Sequence, residues 1–233
     1  MLPQLTKLKG IALDLLFPRW CIGCGREGDF ICPSCRQSLP RIMPPLCPRC
    51  GLPQASSILC PSCVSWQAEI DGIRSPFPFD GVIRQAIHQL KYRNIRALAG
   101  LLACWLNDYL ASNPVPGEVL VPVPLHQKRL RERGYNQSRL LAQELGKLTK
   151  LPLVADCLSR ERHAPPQART TTVAERRSNV ANAFSCRDDR LRNKRILLID
   201  DVSTSGATLD ACARALKEAG AISVWGLVLA RET

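Results

Sequence analysis

The stretch Ile196-Leu-Leu-Ile-Asp-Asp-Val-Ser-Thr-Ser-Gly-Ala-Thr208 narrows the choice of fold more than any other part of this chain. Four aliphatic residues in a row, too few for a helix, predict a buried strand. Two acids stand at its carboxyl end, followed by a loop of small hydroxyl residues and glycine. Leu209 to Ala219 is Ala-rich and helix-forming, and Gly220 follows where helices tend to stop. A strand that delivers an acid pair into such a loop, with a helix opening behind it, is a site for a phosphate joined to a polyol. The helix start offers unpaired N–H groups to the phosphate. Ser203, Thr204, Ser205 and Thr208 add hydroxyl donors, and Gly206, followed by Ala207, lets the backbone approach a ligand closely. Asp200 and Asp201 can accept hydrogen bonds from neighbouring sugar hydroxyls or hold a hydrated Mg²⁺. An Asp-Asp pair holding Mg²⁺ in another α/β fold is the rival reading. A P-loop is excluded, because G-x-x-x-x-G-K-[ST] occurs nowhere in the chain.

The segment resembles the ribose-phosphate signature of type I phosphoribosyltransferases: four hydrophobic residues, two acids, two spacers, two Thr/Ser, Gly, any residue, Thr. Ser205 stands where Thr is frequent and keeps the hydroxyl. The resemblance implies a ligand of the 5-phosphoribosyl-1-pyrophosphate (PRPP) type, bound with Mg²⁺.

The chain has 12 cysteines, and eight form four C-x-x-C pairs: Cys21/Cys24, Cys32/Cys35, Cys47/Cys50 and Cys60/Cys63. Cys104, Cys157, Cys186 and Cys212 are scattered and read as small packing residues. The pairs form an internal repeat, Cys-Ile-Gly-Cys-Gly25 answered by Cys-Pro-Ser-Cys35, then Cys-Pro-Arg-Cys-Gly51 answered by Cys-Pro-Ser-Cys63. Two intervening residues let both thiolates reach one ion, and the Gly after each first knuckle suits a left-handed turn. Two pairs make a closed tetrahedral Cys₄ site, which is structural. The repeat favours two Zn²⁺ with sequential pairing, 21–35 and 47–63. Spacing alone also allows interleaved pairing, a single zinc, or an iron–sulfur site. Gly23-Cys-Gly-Arg-Glu-Gly28 matches G-x-G-x-x-G, but no strand precedes it and the metal claims Cys24, so a dinucleotide fold is rejected.

With 233 residues, the chain has room for one α/β domain and a small appendage. The expected division is a double zinc-ribbon module over 1–70 and an α/β domain with a parallel sheet over 71–233. No apolar run is long enough to span a bilayer. Ile11 to Phe17 is short, carries Asp14 and reads as a packing helix. The net charge of +12 is uneven: residues 81–195 carry 21 Lys/Arg against 9 Asp/Glu, whereas 1–80 and 196–233 come to +2 and −2. The basic excess therefore surrounds the expected phosphate site. It suits a polyanion, either pyrophosphate or a nucleic-acid backbone.

Asp80 is placed to cap a helix carrying Val82, Ile83, Ala86, Ile87 and Leu90, and a second helix is expected over about 95–110. Lys91-Tyr-Arg93 between them is read either as facing an anion or as helix-terminal charge. Val119 to Val123 is a strand, then comes a basic loop to Gln137 and an amphipathic helix on Leu140, Leu141, Leu145 and Leu148. In that loop Arg133 and Gly134 are the candidates for pyrophosphate. The polar segment 160–184 is placed to fold over a phosphate sugar, with Arg176, Arg177 and Asn179 as anchors.

Together the paired C-x-x-C units, Leu90-Lys-Tyr92, Val121-Pro-Val-Pro124, Arg133-Gly-Tyr-Asn-Gln137, Gln167, Arg176…Asn179…Phe184 and the Asp-Asp loop resemble the ComF family, and within it the GntX-type branch. That resemblance implies cytoplasmic work on incoming DNA, with single-stranded DNA and DNA-uptake proteins as partners. Two functions follow. One is a DNA-uptake or DNA-utilisation factor with a phosphoribosyl pocket and salt-sensitive DNA binding through basic residues of 126–139 and 160–177. The other is a working phosphoribosyltransferase of nucleotide salvage, moving ribose 5-phosphate from PRPP to an acceptor. No residue set in the sequence reads as a site for that acceptor.

Overall fold

The computed structural model describes residues 19–161 and 182–232. Among them the strands are β1 (Gly72–Arg74), β2 (Phe77–Pro78), β3 (Val119–Pro122), β4 (Leu158–Arg160), β5 (Phe184–Cys186), β6 (Arg195–Ser203) and β7 (Ser223–Arg231). The main sheet is parallel, in the order β1-β7-β6-β3. β2 continues along the β1 side of β7 in the same register, Gly72 facing Trp225 and Phe77 facing Ala230. β4 and β5 form a separate antiparallel pair. The helices are α1 (Pro33–Gln37), α2 (Pro61–Val64), α3 (Gly81–Tyr92), α4 (Leu98–Ser112), α5 (Gln127–Arg133), α6 (Gln137–Thr149) and α7 (Ala207–Glu218).

A parallel sheet is covered on both faces, so its strands read as unbroken apolar runs. Ile196 to Ile199 and Leu227 to Ala230 are accordingly all buried. On one face α3, α4 and α6 pack through residues such as Ile83, Ile87, Leu90, Leu102, Trp105 and Leu141. The other face takes α7 through Leu209, Ala213 and Leu216. The two ribbons divide the same way. Ile31 and Leu39 of the first join the α3–α4 core, whereas Cys47, Cys50, Cys60 and Cys63 of the second join the α7 core.

Three local expectations are corrected. Asp80 sits at the N-cap of α3 with extended backbone, but its side chain makes no capping bond. The basic loop before Gln137 contains helix α5, ended by Gly134 at φ 77. Leu148, expected in the core, is 43% exposed, because it lies in the last turn of α6. The helix expected over Ile11–Phe17, and Gln167, Arg176, Arg177 and Asn179, lie outside the described residues.

Candidate functional site

β6 runs through both acids to Ser203, so the strand is longer than its four aliphatic residues announce, and the loop before α7 is only Thr204 to Gly206. Gly206 adopts φ 78, and a Cβ there would stand 2.9 Å from both Ile73 Cδ1 and a Trp66 ring carbon. Only glycine fits this point, where the second ribbon and β1 press on the loop. Asp200 and residues Val202 to Leu209 enclose a small cavity of about 50 Å³. Thr204 is exposed and Ser205 and Thr208 are half-buried, leaving their hydroxyls at this rim. Ser203 is different: its Oγ is buried and accepts a hydrogen bond from Arg231 Nη1 at 3.1 Å.

The two acids are held by different helices. Asp200 Oδ1 accepts from Ser138 Oγ at 2.7 Å and from the Asp201 N–H at 2.9 Å. Ser138 lies in the first turn of α6, which Asn136 caps by accepting from the Ser138 and Arg139 amides. Asp201 is 2% exposed, and its Oδ2 stands 2.8 Å from Lys91 Nζ, an ion pair without hydrogen-bond alignment. Lys91 belongs to the last turn of α3, so both readings of its charge meet in one residue. Burial, and then the neighbouring Asp201 carboxylate, push Asp200 up to about 7, against the opposing pull of Ser138 and Lys91.

That shift carries a sign. A carboxyl whose pKa is raised on folding favours the fold at low pH and opposes it increasingly as pH rises from about 4 to about 7. Asp200→Asn is therefore expected to make the ligand-free protein more stable near neutrality, by on the order of 2 kcal/mol, and the gain should shrink towards acid pH. Urea unfolding at several pH values checks this. A loss of stability at neutral pH would contradict it.

Arg133 and Gly134 sit on the Lys91 side. The Arg133 guanidinium lies 5.3 Å from the centre of the Tyr92 ring and hydrogen-bonds Gln137, while Gly134 ends α5. Tyr135, buried beside them, donates its hydroxyl to the Leu90 carbonyl and so ties the α5–α6 junction to the end of α3. Arg133 thus lines one cleft with Lys91, the partner of Asp201. Gly134 contributes the turn. Arg160, at the end of β4, feels the Asp200 charge, and its buried Nε has no hydrogen-bond partner among the described residues. Ser138 and Arg231 carry no mark in the sequence reading, whereas Arg160 opens its basic segment 160–177. The one signal for Arg231 is a cation closing the apolar run Leu227 to Ala230.

The thiols assemble in the sequential pairing. Cys21, Cys24, Cys32 and Cys35 form one set and Cys47, Cys50, Cys60 and Cys63 the other, all sulfurs of a set lying within 4.8 Å of one another. Tetrahedral zinc with Zn–S bonds of about 2.3 Å needs sulfurs about 3.8 Å apart. Cys24 and Cys32 are 3.6 Å apart and Cys50 and Cys60 3.7 Å, so the residues present fit zinc. The repeat extends to the surrounding contacts: the Cys32 amide donates to Cys21 Sγ at 3.3 Å, and the Cys60 amide to Cys47 Sγ at 3.4 Å. Gly25 and Gly51 share φ 72. The sets differ in burial, the second being wholly buried and the first having Cys24 exposed.

A parallel sheet, a strand ending in an acid pair and a small-residue loop opening a helix define a phosphoribosyltransferase-fold protein, here with two Cys₄ ribbons in front. The family model for the phosphoribosyl transferase domain matches residues 131–232, and that for the double zinc ribbon domain matches residues 12–64. Competence protein ComFC of Bacillus subtilis is 32% identical over 217 residues, 88% of this chain and 86% of that protein. Competence protein F of Haemophilus influenzae is 30% identical, over 86% and 90%. DNA utilization protein YhgH of Escherichia coli is also 30% identical, over 84% and 89%. The chain belongs to the ComF family of competence and DNA-utilisation proteins. Among the described residues no helix is long and apolar enough to cross a membrane.

Proposed function

We propose that this protein is a cytoplasmic factor of DNA uptake or utilisation that binds a phosphoribosyl ligand of the PRPP type with Mg²⁺, and also binds single-stranded DNA. The observation that carries the ligand reading is the buried acid pair, Asp200 on Ser138 and Asp201 on Lys91, standing beside the Thr204–Thr208 cradle. In this reading the amides and hydroxyls of Thr204, Ser205, Gly206, Ala207 and Thr208 hold the 5′-phosphate. Asp200 and Asp201 orient the ribose hydroxyls and the hydrated Mg²⁺, which supplies charge neutralisation for the pyrophosphate. In the same reading Arg133 and Gly134 face the anionic end. The DNA reading is supported by the names of the relatives, a competence protein and a DNA utilization protein, and by the basic excess of residues 81–195. DNA-uptake proteins are the corresponding partners.

Calorimetric titration of PRPP with Mg²⁺ into the zinc-loaded protein tests the pocket. Saturable binding is expected, and it should disappear in Asp200→Asn/Asp201→Asn. Equal binding to the variant, or none to the parent, would overturn the ligand reading.

A further inference from the structure

The end of α3 carries a feature that the phosphate site does not use. Tyr92 is 68% exposed, a large apolar ring left in solvent at the point where α3 stops. It is not isolated. The His88 ring lies 5.4 Å away on one side, tilted by 56°, and the Arg133 guanidinium lies 5.3 Å from its centroid. Three flat groups from α3 and α5 therefore make a short ladder at the surface.

Tyr92 also separates two clefts. One has a volume of about 580 Å³ and is lined by Lys91, Arg129, Glu132, Arg133 and Tyr135 among others. The other, about 620 Å³, includes Arg84, His88 and Arg93. In both, arginine and lysine outnumber acids, Glu132 and Asp80 being the acidic members. The floor is rigid where it matters: Tyr135 is buried, bonded to the Leu90 carbonyl and covered by Arg96 at 4.6 Å from its ring centre.

A cationic groove interrupted by an exposed aromatic ring is how single strands are held without regard to sequence: phosphates follow the charges and bases stack on the π-face. A duplex offers no free base face, and a small pyrophosphate has no use for Tyr92. Guanidinium planes accept stacked bases as well, so Arg133 extends the platform that Tyr92 begins. We propose that the His88–Tyr92–Arg133 ladder is a base-stacking platform for single-stranded DNA running between the two clefts, with Tyr92 as its principal contact. The inference rests on the DNA-binding reading above and assigns it a place and a mode.

The test uses the full, zinc-loaded chain and fluorescence anisotropy with two labelled probes of equal length and charge, an oligothymidylate and an abasic oligomer. The parent should bind the oligothymidylate more tightly. Tyr92→Ala should lower that affinity about tenfold, to the level of the abasic probe, and Tyr92→Phe should retain it. Binding of the abasic probe should be the same for all three proteins. Equal binding of both probes by the parent, or undiminished oligothymidylate binding by Tyr92→Ala, overturns the platform and leaves DNA binding through charge alone. No binding of either probe by the parent overturns the DNA reading and the platform together.

Discussion

Cys63→Ser is expected to prevent the protein from folding, whereas Cys24→Ser should leave a soluble protein that holds one zinc and melts a few degrees lower. Each position supplies one thiolate to a four-cysteine set, so the difference must come from where each ribbon sits. All four thiols of the second set are buried and share a core with Trp66, Ile73, Leu209 and Leu216. The knuckle also meets the sheet through its backbone: Ile73 N–H donates to the Arg49 carbonyl at 2.7 Å, and Arg49 Nη1 reaches the carbonyls of Cys63 and Trp66. Arg231, 2% exposed, lies within the field of these four thiols, which with Zn²⁺ carry a net double negative charge. Losing the metal would leave that guanidinium buried without compensation. Structural zinc sites contribute about 10 kcal/mol or more, as much as a domain's whole stability. The first set has Cys24 exposed and touches the domain chiefly through Ile31 and Leu39. Zinc content per chain and thermal melting of the two variants check this. A soluble Cys63→Ser protein with the parental melting point would refute it.

Lys91→Met should cost about 3 kcal/mol, and Lys91→Met/Asp201→Asn should recover most of the loss. Removing one partner of a buried ion pair is far more damaging than replacing both, because the remaining charge stays desolvated. Asp201 is 2% exposed and its Oδ2 pairs with Lys91 Nζ at 2.8 Å, its one ion-pair partner among the described residues, so the methionine variant strands a carboxylate beside the buried Asp200. Denaturant unfolding of the parent, the single variant and the double variant forms the test. If the double variant is no more stable than Lys91→Met, the damage comes from lost packing and the electrostatic account fails.

Much of the site was legible because its chemistry is local. Knuckle thiols lie three positions apart, and the acids, hydroxyls and glycine of the cradle occupy nine consecutive positions, Asp200 to Thr208. What stayed hidden is separated along the chain. Ser138 meets Asp200 across 62 positions and Arg231 meets Ser203 across 28, and no local pattern marks either partner. Helix α5 was missed for another reason. Gln127-Lys-Arg-Leu-Arg-Glu-Arg133 has no apolar period to reveal it, yet all seven residues are good helix formers and glycine follows at the stop. Propensity carried the signal that periodicity lacked. Leu148 shows the converse, a periodic leucine whose helix ends beyond the surface it was expected to cover.

The order of strands also has a consequence in time. β1 closes the sheet against β7, so Gly72 must wait for Trp225, about 150 positions further along the chain. Pairings of such long range are slow to form, because the intervening chain must first be brought to order. The thiols of each ribbon lie within only 15 or 17 residues and are drawn together by metal. The ribbons are therefore the early landmarks of the fold, and in a cell short of zinc newly made chains would linger with β1 unpaired.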